Sequence, residues 1–361
     1  MKASLVVVSV VLFLILSTAA FAGWEVTYLD SPGYPETFGT GISGTQQVGW
    51  SNSSSSELNY WHALLWNGTR ASKVDLNPTG SSNSKANDVY NGKQVGFARS
   101  HACIWSGTAA SCVDLNPAVS TSSQAYGIYG NQQVGEVRMA DRKYHASLWY
   151  GTADSWIDLH PTGCNESHAF DTSGDQQVGY VDTTYLTYHA SLWRGTAASW
   201  VDLNPAGSLE SYAYGISDGQ QVGYARLGYH QAGIWSGTAA SWVNLNPSTV
   251  HTSYAYGISH GYQVGAVITG GGRYHASLWN GTASSWVDLH SFLAPNYSNS
   301  GADAIQVVGN DVWVVGSAYN SNWSCNEAVL WHNVIPEPSC LLALGTGLLA
   351  LAEMIRRRRN G

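Results

Sequence analysis

Three short blocks recur along this chain, and their relative phase constrains its fold more tightly than any other feature. Gln-Gln-Val-Gly and its variants place a glycine at 49, 96, 135, 179, 223, 265 and 316. His-Ala-Ser-Leu-Trp and its variants place a tryptophan at 66, 105, 149, 193, 235, 279 and 331. Both occur seven times. Trp-Val-Asp-Leu-Asn-Pro and its variants carry Leu76, Leu115, Leu159, Leu203, Leu245 and Leu289, and so occur only six times. The missing copy stands at the other end, where residues 24–32, Trp-Glu-Val-Thr-Tyr-Leu-Asp-Ser-Pro, match it loosely. A chain that opens with the last strand of a unit and stops before reaching that strand again is laid out to close a ring. An open solenoid needs no such offset.

Each unit of about 44 residues divides into four short apolar segments separated by turn residues, as in Tyr212–Ser217, Gln221–Arg226, Gly233–Trp235 and Trp242–Asn246. Four strands per unit and seven units predict an all-β, seven-bladed β-propeller over residues 23–334, closed by its N-terminal strand without long exposed edges. Asn67-Gly68 and Asn280-Gly281 suit type I′ hairpins. The glycine of Gln-Val-Gly is expected where neighbouring blades approach. No stretch between Gly23 and Val334 shows capped 3.6-residue periodicity.

The two ends read differently. Residues 1–22 form a secretory signal pattern: Lys2, the apolar run from Leu5 to Leu16, and Ala20-Phe21-Ala22 before Gly23, with cleavage expected between Ala22 and Gly23. Residues 335–361 contain Pro336-Glu337-Pro338, an apolar stretch from Cys340 to Ile355 broken only by Glu353, and Arg356, Arg357, Arg358 and Arg359. Such a stretch is slightly short for a bilayer core, though flanking arginines can snorkel and would stay on the cytoplasmic side. This order of parts resembles the PEP-CTERM sorting signal. The resemblance implies an exosortase-type processing enzyme as partner, transient anchoring in the inner membrane by a hydrophobic sorting helix, and a periplasmic or cell-surface destination linked to exopolysaccharide and biofilm. The repeats, with His-Ala-Leu-Leu-Trp at 62–66, His-Ala-Cys-Ile-Trp at 101–105 and His-Ala-Ser-Leu-Trp at 145–149, 189–193 and 275–279, resemble the HAF family of extracellular repeats, which more often carry Phe where this chain has Ser, Leu or Cys. That resemblance implies a secreted β-repeat protein without established catalytic residues.

Charge narrows the function classes. Only 11% of residues are charged, while 16 Trp and 21 Tyr supply ample core, so disorder is excluded. The formal charge of −8 becomes −11 once five basic and two acidic residues of the two ends are set aside, which disfavours nucleic acid and other polyanions.

The repeated His62, His101, His145, His189 and His275, replaced by Gln231 and Glu327, are too widely spread over blades for one metal centre; they read as structural partners of a backbone group or carboxylate. Asp75, Asp114, Asp158, Asp202 and Asp288, replaced by Asn244, read as turn acceptors. Asp171 and Asp175 make a weak Ca²⁺ candidate in a short turn, for which a solvated turn is the plainer reading. Asp141-Arg142-Lys143, with Arg138, reads as a solvated hairpin tip. Cys103 and Cys112 replace a Ser and a Trp on consecutive strands and form a possible disulfide, while Cys164 and Cys325 fall in non-adjacent blades.

No H-E-x-x-H helix, P-loop or sialidase-type Asp-box is present in the sequence. The sequence thus points to a non-enzymatic secreted or cell-surface protein without cofactor, binding polysaccharide or protein partners through aromatic loops such as 51–61, 180–188 and 296–300. The alternative is a glycan-active hydrolase or lyase on a propeller scaffold. Its catalytic set should appear as acidic or histidine side chains on the channel face that differ between blades.

Overall fold

The computed structural model describes residues 23–30, 36–53 and 60–334. The secretory pattern of residues 1–22 and the sorting pattern of residues 335–361 lie outside these residues. Among the described residues no helix is long and apolar enough to cross a membrane.

The chain divides into two compact units. The larger comprises residues 26–306 and 313–331 and carries the repeats. Of the smaller, residues 23–25, 307–312 and 332–334 are described; within it His332 Nε2 lies 2.9 Å from Asp311 Oδ1.

The strands assort into seven four-stranded sheets, six of them simple meanders, which makes the fold an all-β seven-bladed propeller. Blade 4 is typical, with strands Glu166–Ser173, Gln176–Asp182, Tyr188–Trp193 and Val201–Asp202 in antiparallel order. The first strand of each blade is innermost and the fourth, two residues long in the first six blades, is outermost. A one-turn 3-10 segment such as Ala197–Ser199 precedes the fourth strand in each of the first six blades. In the seventh blade Tyr297–Val308, Asp311–Asn320 and Cys325–Val334 come from the end of the chain, and the fourth strand is Glu25–Tyr28 from its beginning.

The offset of the third block is therefore the closure of the ring. Leu29 N donates to Ala328 O at 2.9 Å, the bond that Leu76, Leu115, Leu159, Leu203 and Leu245 make at 2.8 Å to Ala63, Ala102, Ala146, Ala190 and Ala232 in their own blades.

Each repeated residue type has a physical role in this arrangement. All seven block-two tryptophans are 0% exposed, because each inserts between two blades. Trp149, for example, packs with Ala125, Ile128 and Val137 of its own blade and with Val95, Ala102 and Leu115 of the blade before. A hydroxyl then ties every blade to its predecessor. Ser84, Ser123, Ser167, Ser211, Ser253 and Ser300 accept from the backbone N–H of Ala63, Ala102, Ala146, Ala190, Ala232 and Ala276, and Thr37 accepts from Ala328 across the closure. The second glutamine of Gln-Gln-Val-Gly is buried, and its Oε1 accepts from a turn glycine, as Gln177 does from Gly195 N at 2.7 Å. Burying an amide is tolerable when such a partner is fixed.

Two sequence expectations are corrected here. The Gln-Val-Gly glycine does not mark an approach between blades. A Cβ on Gly49 would lie 1.8 Å from the carbonyl oxygen of Phe38 in the same blade, where the innermost strand bulges between Gly39 and Gly41. Nor do Asn67-Gly68 and Asn280-Gly281 form two-residue hairpins; each leads into a 3-10 turn, with only the glycine at positive φ. Two consecutive positive φ values occur instead at Asn91-Gly92, Asp218-Gly219 and His260-Gly261, which join first and second strands, and at Arg99-Ser100, which joins the second and third strands of blade 2.

Candidate functional site

The innermost strands converge on a central channel enclosing a cavity of about 160 Å³. In the first six blades a bulge near the middle of the innermost strand turns two consecutive residues toward it, and two rings of residues line the channel. One ring holds Thr40, Asn87, Tyr126, Phe170, Tyr214, Tyr256 and Asp303. The other holds Asp88, Gly127, Asp171, Gly257 and Ala304, with Gly41 and Gly215 at the equivalent positions of the remaining blades.

The first ring contains an aromatic arc across blades 3 to 6. Tyr126 and Phe170 are 5.4 Å apart between ring centroids, Phe170 and Tyr214 5.1 Å, and Tyr214 and Tyr256 5.5 Å. Burial, before any charge effect, raises the proton affinity of these tyrosines, that of Tyr214 to about 12, so they are neutral faces and hydroxyl donors.

The second ring explains how carboxylates fit at so narrow a place. Asp88 stands between Gly41 and Gly127, and Asp171 between Gly127 and Gly215. A Cβ on Gly41 would lie 2.8 Å from the Cα of Asp88, and one on Gly127 2.9 Å from that of Asp171. Each aspartate bridges two blades: Asp88 accepts from Val89 N at 2.7 Å and Ile128 N at 3.0 Å, and Asp171 from Thr172 N at 2.7 Å and Ile216 N at 2.9 Å. Burial pushes the Asp88 carboxyl up to about 7, with the charge of Asp171 adding to it, and pushes Asp171 up to about 6; the backbone amides oppose both shifts.

Asp303 differs from both. It occupies the aromatic position of the seventh blade, burial alone raises it to about 7, and no hydrogen bond or ion pair to it is found among the described residues. Beside it opens a notch of about 290 Å³ lined by small and polar residues of blades 6 and 7, among them Ala266, Ser300, Gly301, Ser317 and Asn326; Tyr256 and Asp303 belong to both spaces. All three aspartates keep partial contact with water through the channel while protein surrounds them, and it is the surrounding protein that governs their charge.

The other expected sites resolve as follows. His62, His101, His145, His189 and His275 each place Nδ1 2.7–2.9 Å from the repeated Asp of their own blade, and Gln231 and Asn244 make the neutral equivalent at 2.7 Å. Oδ1 of the same aspartates caps the following turn, as Asp75 does for Asn77 N at 2.8 Å. Asp171 and Asp175 do not form a cation site. Asp171 faces the channel with both oxygens on backbone amides, whereas Asp175 is an exposed hairpin residue 3.4 Å from Arg194. Among the described residues no group of three His, Cys, Asp or Glu side chains is placed to hold a metal ion.

Cys103 and Cys112 are free thiols with sulfurs 3.1 Å apart. They stand where Ser147 and Trp156, Ser191 and Trp200, and Ser277 and Trp286 make an indole-to-hydroxyl hydrogen bond in other blades. Mild oxidation is expected to join them, seen as a loss of two hydrogens in intact mass, and to stabilise the protein by about 2–3 kcal/mol. Unchanged mass with both thiols still alkylatable would refute this.

No family model and no curated protein matches the chain. Among solved structures it is similar to puromycin hydrolase, with a TM-score of 0.57, 12% identity, and coverage of 86% of this chain and 57% of that one. A puromycin-hydrolysing peptidase of Mycobacterium tuberculosis matches with a TM-score of 0.56 and 10% identity over 86% of this chain and 53% of that one. The chain thus spans a little over half the length of these relatives. The β-propeller domain of the Trilobed protease from Pyrococcus furiosus matches with a TM-score of 0.50 and 10% identity over 84% of this chain and 98% of that one; it is described as having an open velcro topology, in contrast to the Leu29–Ala328 closure here. At these identities the likeness establishes the fold. The expectation of a non-enzymatic binding protein is nonetheless corrected: the similar propellers belong to hydrolases and a protease, and the channel bears the blade-specific carboxyls anticipated for the hydrolytic alternative.

Proposed function

We propose that the chain is a hydrolase-type propeller that cleaves glycosidic bonds at its channel. The observation that carries this reading is Asp303, a carboxyl that breaks the repeat, has no hydrogen-bond partner among the described residues and retains its proton up to about pH 7. Asp303 acts as the general acid toward the leaving-group oxygen. Asp171, held by two backbone amides and ionised above about pH 6, acts as base or charge stabiliser. Two carboxyls with unlike environments are what acid–base cleavage of an acetal requires. The arc Tyr126–Phe170–Tyr214–Tyr256 offers faces for stacking a sugar ring, and hydroxyls for orienting it. If the ends of the chain act as their resemblances imply, the substrate is met outside the inner membrane, as an envelope or matrix polysaccharide.

The test is release of reducing ends, or of unsaturated products for a lyase, from a panel of neutral, acidic and amino polysaccharides by the full chain at pH 6.5. Measurable release that follows the protein through purification supports the reading. Inertness toward the whole panel, with the protein folded by circular dichroism, overturns it.

A further inference from the structure

The charge of the channel narrows the ligand further. The residues lining the central cavity and the adjoining notch include Asp88, Asp171 and Asp303 and no Lys or Arg. Such a site repels a uronic acid or a sulfated sugar, because a second anion beside buried carboxyls has no compensating charge. It does not suit a bare divalent ion either, since the carboxyls are not grouped for coordination. Rings and carboxyls together favour an organic cation: its charge is stabilised over a ring face while a carboxylate takes up its N–H groups.

Asp88 is the group left without a chemical role in the cleavage reading. It faces the charge of Asp171, which raises its proton affinity, and no cationic side chain lines the space they share. Asp303, enclosed and without a partner, opens onto the same space.

We infer that the channel recognises a saccharide carrying a free primary amine, with the ammonium held between the Asp88 carboxylate and the aromatic arc, as a de-N-acetylated amino sugar would present it. This deepens the cleavage reading and rests on the channel being its site. The enclosed volume of about 160 Å³ is below the ~300 Å³ at which ordinary small-molecule sites begin, so it admits a single sugar unit, amine edge first, rather than a length of chain. An N-acetyl group would bring bulk into that space and leave Asp88 without its counter-charge.

The experiment is isothermal titration of the full chain at pH 7 in 0.5 M NaCl with a glucosamine tetrasaccharide, its fully N-acetylated counterpart and a galacturonate tetrasaccharide. High salt suppresses loose attraction of a cation to an acidic surface. The expected result is affinity for the glucosamine oligomer at least 10-fold above that for the acetylated one, with no binding of the uronate. Asp88→Asn should remove that preference. Since Asp88 also ties two blades, Tyr214→Leu provides a second variant that keeps this tie and is expected to weaken the amine ligand about 3-fold to 10-fold. Equal affinity for the two amino-sugar oligomers, or binding of the uronate, overturns the inference. Binding and turnover are read separately: amine-selective binding without cleavage would sink the hydrolase reading alone, and cleavage confined to neutral glycans would sink the amine inference alone.

Discussion

Replacing Asp303 by Asn is expected to lower kcat at least 100-fold while raising thermal stability at alkaline pH. An amide cannot donate the proton a leaving oxygen requires, and general acid catalysis typically contributes about 10²–10⁴-fold. The wild-type profile should be bell-shaped and narrow. Activity falls below about pH 6 as Asp171 takes up its proton, and above about pH 7 as Asp303 loses its own. In the variant the alkaline limb disappears with the acid. Stability moves the other way. Asp303 has a folded-state proton affinity raised above the unfolded value, so the folded chain binds more protons over the interval from about 4 to about 7, and stability declines as pH rises through it. Above that interval the native protein carries a half-buried charge that Asn lacks. After discounting for the water the channel admits, a gain of about 1 kcal/mol is expected, or about 2–4 °C in Tm at pH 8. A folded Asp303→Asn protein with full kcat and an unchanged alkaline limb would dispose of the acid assignment. A variant that loses activity and also melts earlier at pH 8 would mark Asp303 as structural.

The architecture was legible in the sequence because it is written seven times and each copy obeys local rules. Tryptophans at fixed phase, turns rich in Gly and Asn, and the displaced copy at residues 24–32 are all properties of spacing. The channel was less legible for a physical reason. Strict alternation along Ala169-Phe170-Asp171-Thr172 sends Phe170 and Asp171 to opposite faces, but the bulge between Ala169 and Asp171 brings both to the channel. Without the bulge, Asp171 could only be read with its sequence neighbour Asp175, as a hairpin ligand. The signal that could have found the site is the pattern Gly41, Asp88, Gly127, Asp171, Gly215, Gly257 at one repeat position, where an Asp displaces a Gly only between two others. Asp303 escapes even that comparison, since it occupies the aromatic position of the most divergent blade. The hydroxyl that receives each inter-blade hydrogen bond, a serine in six blades and Thr37 in the first, was missed because a small hydroxyl two residues ahead of an alanine or glycine has no distinctive composition; only the ring of seven equivalent bonds gives it meaning.

The largest loss of stability is expected from opening the ring. Leu29 is 0% exposed and packs in the layer formed by Val315, Ala328 and Leu330 of the last blade with Ile42, Leu64 and Trp66 of the first. Its neighbour Asp30 is also buried and receives Lys73 Nζ at 3.0 and 3.1 Å. Lys73 stands at the repeat position that holds Trp156, Trp200, Trp242 or Trp286 in other blades, so blade 1 has exchanged an indole for a cation aimed at the closing strand. Leu29→Ala removes buried methyl groups at a cost of about 2–5 kcal/mol, and Leu29→Asp adds an unpaired charge to the same layer. At about 2–4 °C per kcal/mol the alanine variant should melt some 5–15 °C lower. The matched control is Leu203→Ala, equally buried and equally bonded, to Ala190 O at 2.8 Å, but in the middle of the ring. Both variants lose the same side-chain atoms. Only Leu29 also weakens the junction between the two ends of the sheet order, so its unfolding should become less cooperative, with hydrogen exchange rising first in blades 7 and 1. Identical melting and exchange patterns for the two variants would show that the N-terminal strand is an accessory to the propeller and not its clasp.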